Sequence, residues 1–119
     1  LRILILEDEP LIALDLQSIV EDDGHEVVGI VSSLSAANTY LAHAPDSIDF
    51  ALLDIDVLDG KSFPFASLLD ERAIPFVFVS GSRPSDLPPA FGKVPFVTKP
   101  FQEIAIRRCL TEPLHAQRY

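Results

Sequence analysis

The chain has 119 residues, 48% of them apolar and 23% charged, with 9 Lys and Arg against 18 Asp and Glu for a formal charge of −9. That length holds one domain with enough interior to fold alone, and the apolar content excludes a disordered or low-complexity chain despite 10 scattered prolines. The acidic balance argues against direct nucleic-acid binding, because phosphate backbones would be repelled rather than neutralised.

The charge is unevenly placed. Residues 1 to 60 carry 13 acids and a single base, Arg2, whereas residues 61 to 119 carry 5 acids and 8 bases. A solvated acidic surface accounts for such a bias, and so does a carboxylate cluster that collects a divalent cation. The single cysteine, Cys109, forms no intrachain disulfide, so the fold does not depend on oxidising conditions; it reads as a small core residue of a helix. No stretch has the uninterrupted apolar length of a membrane span, and no basic start with a hydrophobic run marks a secretion signal. The expected setting is cytoplasmic, away from membranes. A start at Leu1 rather than methionine is what a stretch cut from a longer chain would show.

Arg2 to Leu6 is a short apolar run that stops at Glu7, Asp8, Glu9 and Pro10, the pattern of a buried strand entering a polar loop. Ile12, Leu16, Ile19 and Val20 then recur at helical spacing, with Pro10 suited to the first turn and Gly24 to the stop. Glu26 to Val31 reads as a second strand. It is followed by a helix carrying Ala37, Tyr40, Leu41 and Ala44 on one side, before Pro45. Phe50 to Leu53 is a third strand ending at Asp54. After Gly60, Phe65, Leu68 and Leu69 share a helical face.

Phe76 to Val79 is a fourth strand ending at Ser80 and Gly81. Pro84, Pro88, Pro89 and Gly92 follow it, so the fourth helix should be short or absent. Pro95 to Thr98 forms the last strand, before Lys99 and Pro100, and a closing helix from about Phe101 should stop ahead of Pro113. Five apolar strands alternating with helices imply a single domain over 1–119, of the α/β class: a doubly wound parallel sheet with right-handed crossovers and helices on both faces.

Ligands of open parallel sheets bind beyond the carboxyl ends of the strands. Glu7 and Asp8 fall there after the first strand, Asp54 after the third, Ser80 after the fourth and Lys99 after the fifth. Strands commonly end in polar residues, so each alone says little; the set in this order says more. Crowded carboxylates raise one another's pKa unless a cation neutralises them, and an all-oxygen site suits Mg²⁺ shared with a phosphate. A carboxylate attacking phosphorus meets an anion, which Mg²⁺ and the Lys99 ammonium would offset. Ser80 offers a hydroxyl to a phosphoryl oxygen, and Gly81 leaves room for its backbone to approach.

With ILILEDEP at 3–10, ALLDIDVLDG at 51–60, FVFVSG at 76–81 and FVTKPF at 96–101, the chain resembles, over essentially its whole length, the receiver domain of two-component response regulators. The resemblance implies a flavodoxin-like sheet of order 2-1-3-4-5. It makes Asp54 the acceptor of a phosphoryl group from a sensor histidine kinase or phosphotransfer protein. Glu7 and Asp8 would hold Mg²⁺ with Asp54 and the backbone carbonyl of Asp56, while Ser80 and Lys99 would bind phosphoryl oxygens. Lys99–Pro100 would be a cis peptide. Ser80 moving toward the phosphate and Phe96 turning inward would change the surface read by an unknown downstream protein, in an arrangement that allows a homodimer. Phe96 lacks the hydroxyl of the tyrosine often found there, and as a plain core residue it needs no switch role.

Glu9 reads as a solvated acid at a helix start and Asp59 as a turn residue before Gly60; His25, His43 and His115 are too scattered for a metal site. The spacing from Ser80 to Lys99 is shorter than is usual in the family, which puts the customary output face in question. Asp56 and Ser82 occupy positions that tune hydrolysis of the phosphoryl group in the family. Two alternatives differ in class. A haloacid-dehalogenase-like phosphatase also uses an aspartate nucleophile with a second aspartate two residues on, as at Asp54 and Asp56, but there the nucleophile follows the first strand. A receiver fold kept only for binding, without phosphorylation, is the other. In the receiver reading the chain catalyses only its own phosphorylation and slow dephosphorylation and turns over no metabolic substrate.

Overall fold

The computed structural model describes residues 1–111. In chain order the main elements are β1 (Arg2–Leu6), α1 (Pro10–Asp22), β2 (Glu26–Val31), α2 (Leu34–His43) and β3 (Phe50–Leu53). A small hairpin of β4 (Asp56–Val57) and β5 (Gly60–Lys61) follows, then α3 (Phe63–Glu71), β6 (Phe76–Ser80), β7 (Phe96–Thr98) and α4 (Glu103–Thr111). Pro113 and His115 lie outside the described residues.

β1, β2, β3, β6 and β7 form one parallel sheet in the order β2-β1-β3-β6-β7. With the hairpin set aside, this is the 2-1-3-4-5 order expected of a doubly wound fold. Side chains of a strand alternate between faces, and β1 divides its residues accordingly. Leu4 and Leu6 join Ala37 and Leu41 of α2 and Phe65, Ala66 and Leu69 of α3 in one apolar layer. Ile3 and Ile5 join Leu16, Ile19 and Val20 of α1 and Ile106 and Leu110 of α4 in the other. Both faces are thus covered, which is why the strands read as continuous apolar runs.

Where β1 meets β2 the register slips, Ile3 facing Val27 and Leu4 facing Gly29. A Cβ on Gly29 would come within 3.1 Å of the Tyr40 ring and 3.2 Å of Leu4 Cδ1, so the bare backbone lets α2 lie close to this strand. Cys109 is half-buried against the margin of the second layer rather than inside it.

The proline-rich stretch after β6 forms two short 3₁₀ turns, Pro84–Asp86 and Pro89–Phe91, in place of a fourth crossover helix. One side chain anchors it. Phe91 is buried and stacks on Phe63 at a ring separation of 5.8 Å, with Phe78 edge-on at 5.7 Å. Phe96, half-buried, packs against the same layer. Among the described residues, no helix is long and apolar enough to cross a membrane.

Candidate functional site

The parallel register brings the carboxyl ends of β1, β3, β6 and β7 to one edge of the sheet, and the residues after them enclose a cleft of about 470 Å³. Asp8, Glu9, Asp54, Asp56, Ser80, Gly81, Ser82 and Lys99 line it. A cleft of about 510 Å³ at the opposite end of the strands, around Asp49 and Arg72, holds none of these groups, and its Asp49 is already paired with Arg2 at 3.1 Å.

Lys99 lies at the centre. Its Nζ is 3.0 Å from Asp54 Oδ2, 2.7 Å from Glu7 Oε1 and 3.6 Å from Glu9 Oε2. The Ile55 amide donates to Asp54 Oδ1 at 2.7 Å, which fixes the plane of that carboxylate and leaves Oδ2 toward the lysine. Glu7 Oε2 accepts from the Glu9 amide at 3.1 Å. The Lys99–Pro100 peptide is cis.

Burial and neighbouring charge oppose each other here. Glu7 is 2% exposed. Its burial, helped by the Asp54 charge, pushes its pKa up to about 7 against the pull of Lys99 and the Glu9 amide. For Lys99, burial draws the pKa down, but the hydrogen bonds and charges of Glu7 and Asp54 together outweigh it and hold the ammonium above its ordinary value.

Glu7, Asp8 and Asp54 each offer an oxygen within 4.8 Å of the others. Glu7 Oε1 is buried and its partner among the described residues is the Lys99 ammonium at 2.7 Å. Three carboxylates that converge this closely fit a hard divalent cation, whose ligands are oxygens. No histidine joins this cluster among the described residues. The Asp56 carboxylate is turned elsewhere, with Lys61 on Oδ1 and the Ser82 hydroxyl on Oδ2 at 3.4 Å. Any share it takes in holding a cation therefore falls to its backbone.

Ser80 is buried, and its Oγ accepts from the Ser82 amide at 3.2 Å, so its hydroxyl proton is available to the cleft. A Cβ built on Gly81 meets nothing within 4 Å, so the space above it belongs to the cleft and is not needed by packing.

Three residues have larger parts than their sequence signals suggest. Glu9 is exposed, as expected of a helix-start acid, yet it contributes charge to Lys99. Asp59 reaches the start of α2, accepting from Leu34 N at 2.6 Å and Ser35 N at 3.0 Å. Lys61, the first base after Arg2, stands opposite Asp56 in the hairpin; its position after 58 residues without a cation was the available signal.

No protein-family model matches the chain. It is 34% identical to the phyllosphere-induced regulator PhyR of Methylorubrum extorquens over 98% of its own length, but spans only 44% of that protein. Among solved structures, SdrG of Sphingomonas melonis is 34% identical, with a TM-score of 0.81 and coverage of 99% of this chain and 96% of that one. The PhyR response regulator REC domain of Erythrobacter litoralis is 29% identical at a TM-score of 0.79, covering 96% and 89%. PhyR of Bartonella quintana, described as an anti-anti-sigma factor, is 29% identical at a TM-score of 0.67, covering 98% and 47%.

Proposed function

We propose that this chain, which belongs to the receiver domains of response regulators, accepts a phosphoryl group on Asp54 and relays the event as a change of surface. The observation that carries this reading is the approach of Lys99 Nζ to Asp54 Oδ2 at 3.0 Å inside a cleft that also holds Ser80 and the Glu7–Asp8 pair. The chain is a regulatory module rather than a metabolic enzyme, as its relatives are regulators. Glu7 and Asp8, just after the first strand, also run against the chain order of a dehalogenase-type phosphatase.

In the proposed step an Asp54 carboxylate oxygen attacks the phosphorus of a phosphohistidine. The new O–P bond forms as the P–N bond breaks, and the imidazole leaves with the bond pair. Asp54 Oδ1 is restrained by the Ile55 amide, so Oδ2 is the attacking atom. Lys99 shifts its ammonium from that oxygen to the incoming phosphoryl oxygens, and the Ser80 hydroxyl donates a hydrogen bond to another. Glu7, Asp8 and Asp54, with the Asp56 carbonyl, would hold Mg²⁺, which offsets the repulsion between carboxylate and phosphate. Hydrolysis reverses the mark when water attacks the phosphorus and the Asp54–phosphorus bond breaks.

Ser80 leaves its bond with the Ser82 amide in this step, and half-buried Phe96 turns toward the space it vacates. The phosphodonor is a sensor histidine kinase or a phosphotransfer protein in the cytoplasm. Since one relative is described as an anti-anti-sigma factor, an anti-sigma protein is the downstream partner to try first. Acetyl phosphate with Mg²⁺ should add one phosphoryl group per chain by mass spectrometry, chelator should prevent it, and Asp54→Ala should abolish it while the exposed Asp70→Asn retains it. Labelling that persists in Asp54→Ala, or none in the unaltered protein, would refute the reading.

A further inference from the structure

Asp56 lies two residues beyond Asp54, on the rim of the same cleft, with its side chain 59% exposed. A bare carboxylate there would do two things. It would add a fourth acid beside Glu7, Asp8 and Asp54, strengthening the pull on a cation, and it would present negative charge to an arriving anionic phosphodonor. Neither oxygen is bare. The β4–β5 pairing sets Asp56 directly opposite Lys61, whose ammonium binds Oδ1, and the Ser82 hydroxyl lies 3.4 Å from Oδ2. Asp59 anchors the same hairpin to α2, so Lys61 is presented on a held turn rather than on a loose loop.

We propose that Lys61 is a positioning residue that holds the Asp56 carboxylate against the hairpin, away from the Glu7–Asp8–Asp54 cluster, and cancels its charge at the cleft mouth. The chain thereby trades cation affinity for easier entry of anionic donors. This rests on the phosphoacceptor reading for its second half only. The cation half stands on the carboxylate geometry.

The test uses Mg²⁺ itself, titrated by NMR at physiological ionic strength, together with the initial rate of labelling by acetyl phosphate at saturating Mg²⁺. Lys61→Met keeps the length of the side chain and removes its charge. Exposed ion pairs carry modest energies, so the expected changes are about three- to five-fold: tighter Mg²⁺ binding and slower labelling. Lys61→Arg should restore both values. In an Asp56→Asn background, Lys61→Met should move neither, because the group it positions is gone. Unchanged or weaker Mg²⁺ binding in Lys61→Met would overturn the proposal. So would an equal shift in the Asp56→Asn background, which would make Lys61 a diffuse surface charge. If the unaltered protein takes no label at all, the phosphoacceptor reading fails while the Mg²⁺ titration still decides the role of Lys61.

Discussion

Asp59 and Leu34 are 25 positions apart in sequence, yet the Asp59 carboxylate accepts the Leu34 amide at 2.6 Å and the neighbouring Ser35 amide at 3.0 Å. The loop leaving β3 is thereby tied to the first turn of α2, whose amides have no partners within the helix. Leu58 N adds a bond to Ser32 O at 3.2 Å. The α2 amides hold the Asp59 carboxyl below its usual pKa. That stabilisation is present above the ordinary carboxylate range and is lost as pH falls through the depressed value. Asp59→Ala should speed hydrogen exchange at Leu34, Ser35 and Leu58 by roughly several-fold at neutral pH, while α3 amides keep their rates. Unaltered exchange at residues 34 and 35 would show that the tie carries no energy.

The buried carboxyl of Glu7 should make Mg²⁺ binding proton-linked. With its pKa pushed up to about 7, Glu7 is mostly protonated in the metal-free protein at pH 6, and a cation must displace that proton. Apparent Mg²⁺ affinity should therefore climb as pH rises and level off above 7, weaker by roughly tenfold at pH 6 than on the plateau. The folding consequence has the opposite sign. A carboxyl whose folded pKa lies above the unfolded one stabilises fully below the unfolded value, and that contribution disappears as pH rises through about 7. Metal-free protein should accordingly lose stability between about pH 4.5 and 7, and Glu7→Gln should flatten that slope. Thermal melts across this range, with and without Mg²⁺, measure both.

Glu7, Asp8, Asp54, Ser80 and Lys99 were legible in the sequence because parallel strands put their carboxyl ends on one edge, and each strand here is an unbroken apolar run that ends sharply in a polar residue. The short hairpin was not legible. Two-residue strands have no period, and the pairing of Asp56 with Lys61 depends on a turn whose residues look like ordinary loop. Asp59 and Gly60 signalled that turn, but the amides Asp59 serves belong to a helix from an earlier unit of the chain. Similarly, the prolines between Pro84 and Pro89 announced the missing helix without revealing that Phe91 would hold the segment down, since a lone aromatic carries no helical spacing.

Ala73 closes α3 in the left-handed region, φ 57°, the one described non-glycine residue with positive φ. Its amide and that of Ile74 bond back to Asp70 O and Leu69 O, so the conformation satisfies the end of the helix. A Cβ in that conformation costs roughly 1–2 kcal/mol, and replacing it with glycine loses roughly 0.4–1 kcal/mol through the freer unfolded chain. Ala73 is exposed, so little packing is lost. Ala73→Gly should raise stability by about 0.5–1 kcal/mol, seen as a melting temperature higher by a few degrees.

Phe91 is the side chain on which the helix-free stretch depends. It is 6% exposed and packs on three rings from two elements: Phe63 at the start of α3, stacked at 5.8 Å, and Phe76 and Phe78 of β6, edge-on at 6.1 and 5.7 Å. An ordinary crossover helix would spread its attachment over several turns, whereas two 3₁₀ turns of three residues each have few apolar side chains to spend on the core. Phe91→Ala should therefore cost about 3–5 kcal/mol, the range for removing a buried aromatic ring, and Phe91→Leu about 1–2 kcal/mol because most of the volume is kept. The loss should be local before it is global. Hydrogen exchange should rise first at Phe91, Gly92 and Val94, whose amides bond only within this segment, while Asp54 and Ile55 stay protected and Mg²⁺ still binds. If instead Phe91→Ala left the melting temperature unchanged, the 3₁₀ turns would have to be held by their prolines alone, and the aromatic cluster would carry no share of the fourth connection.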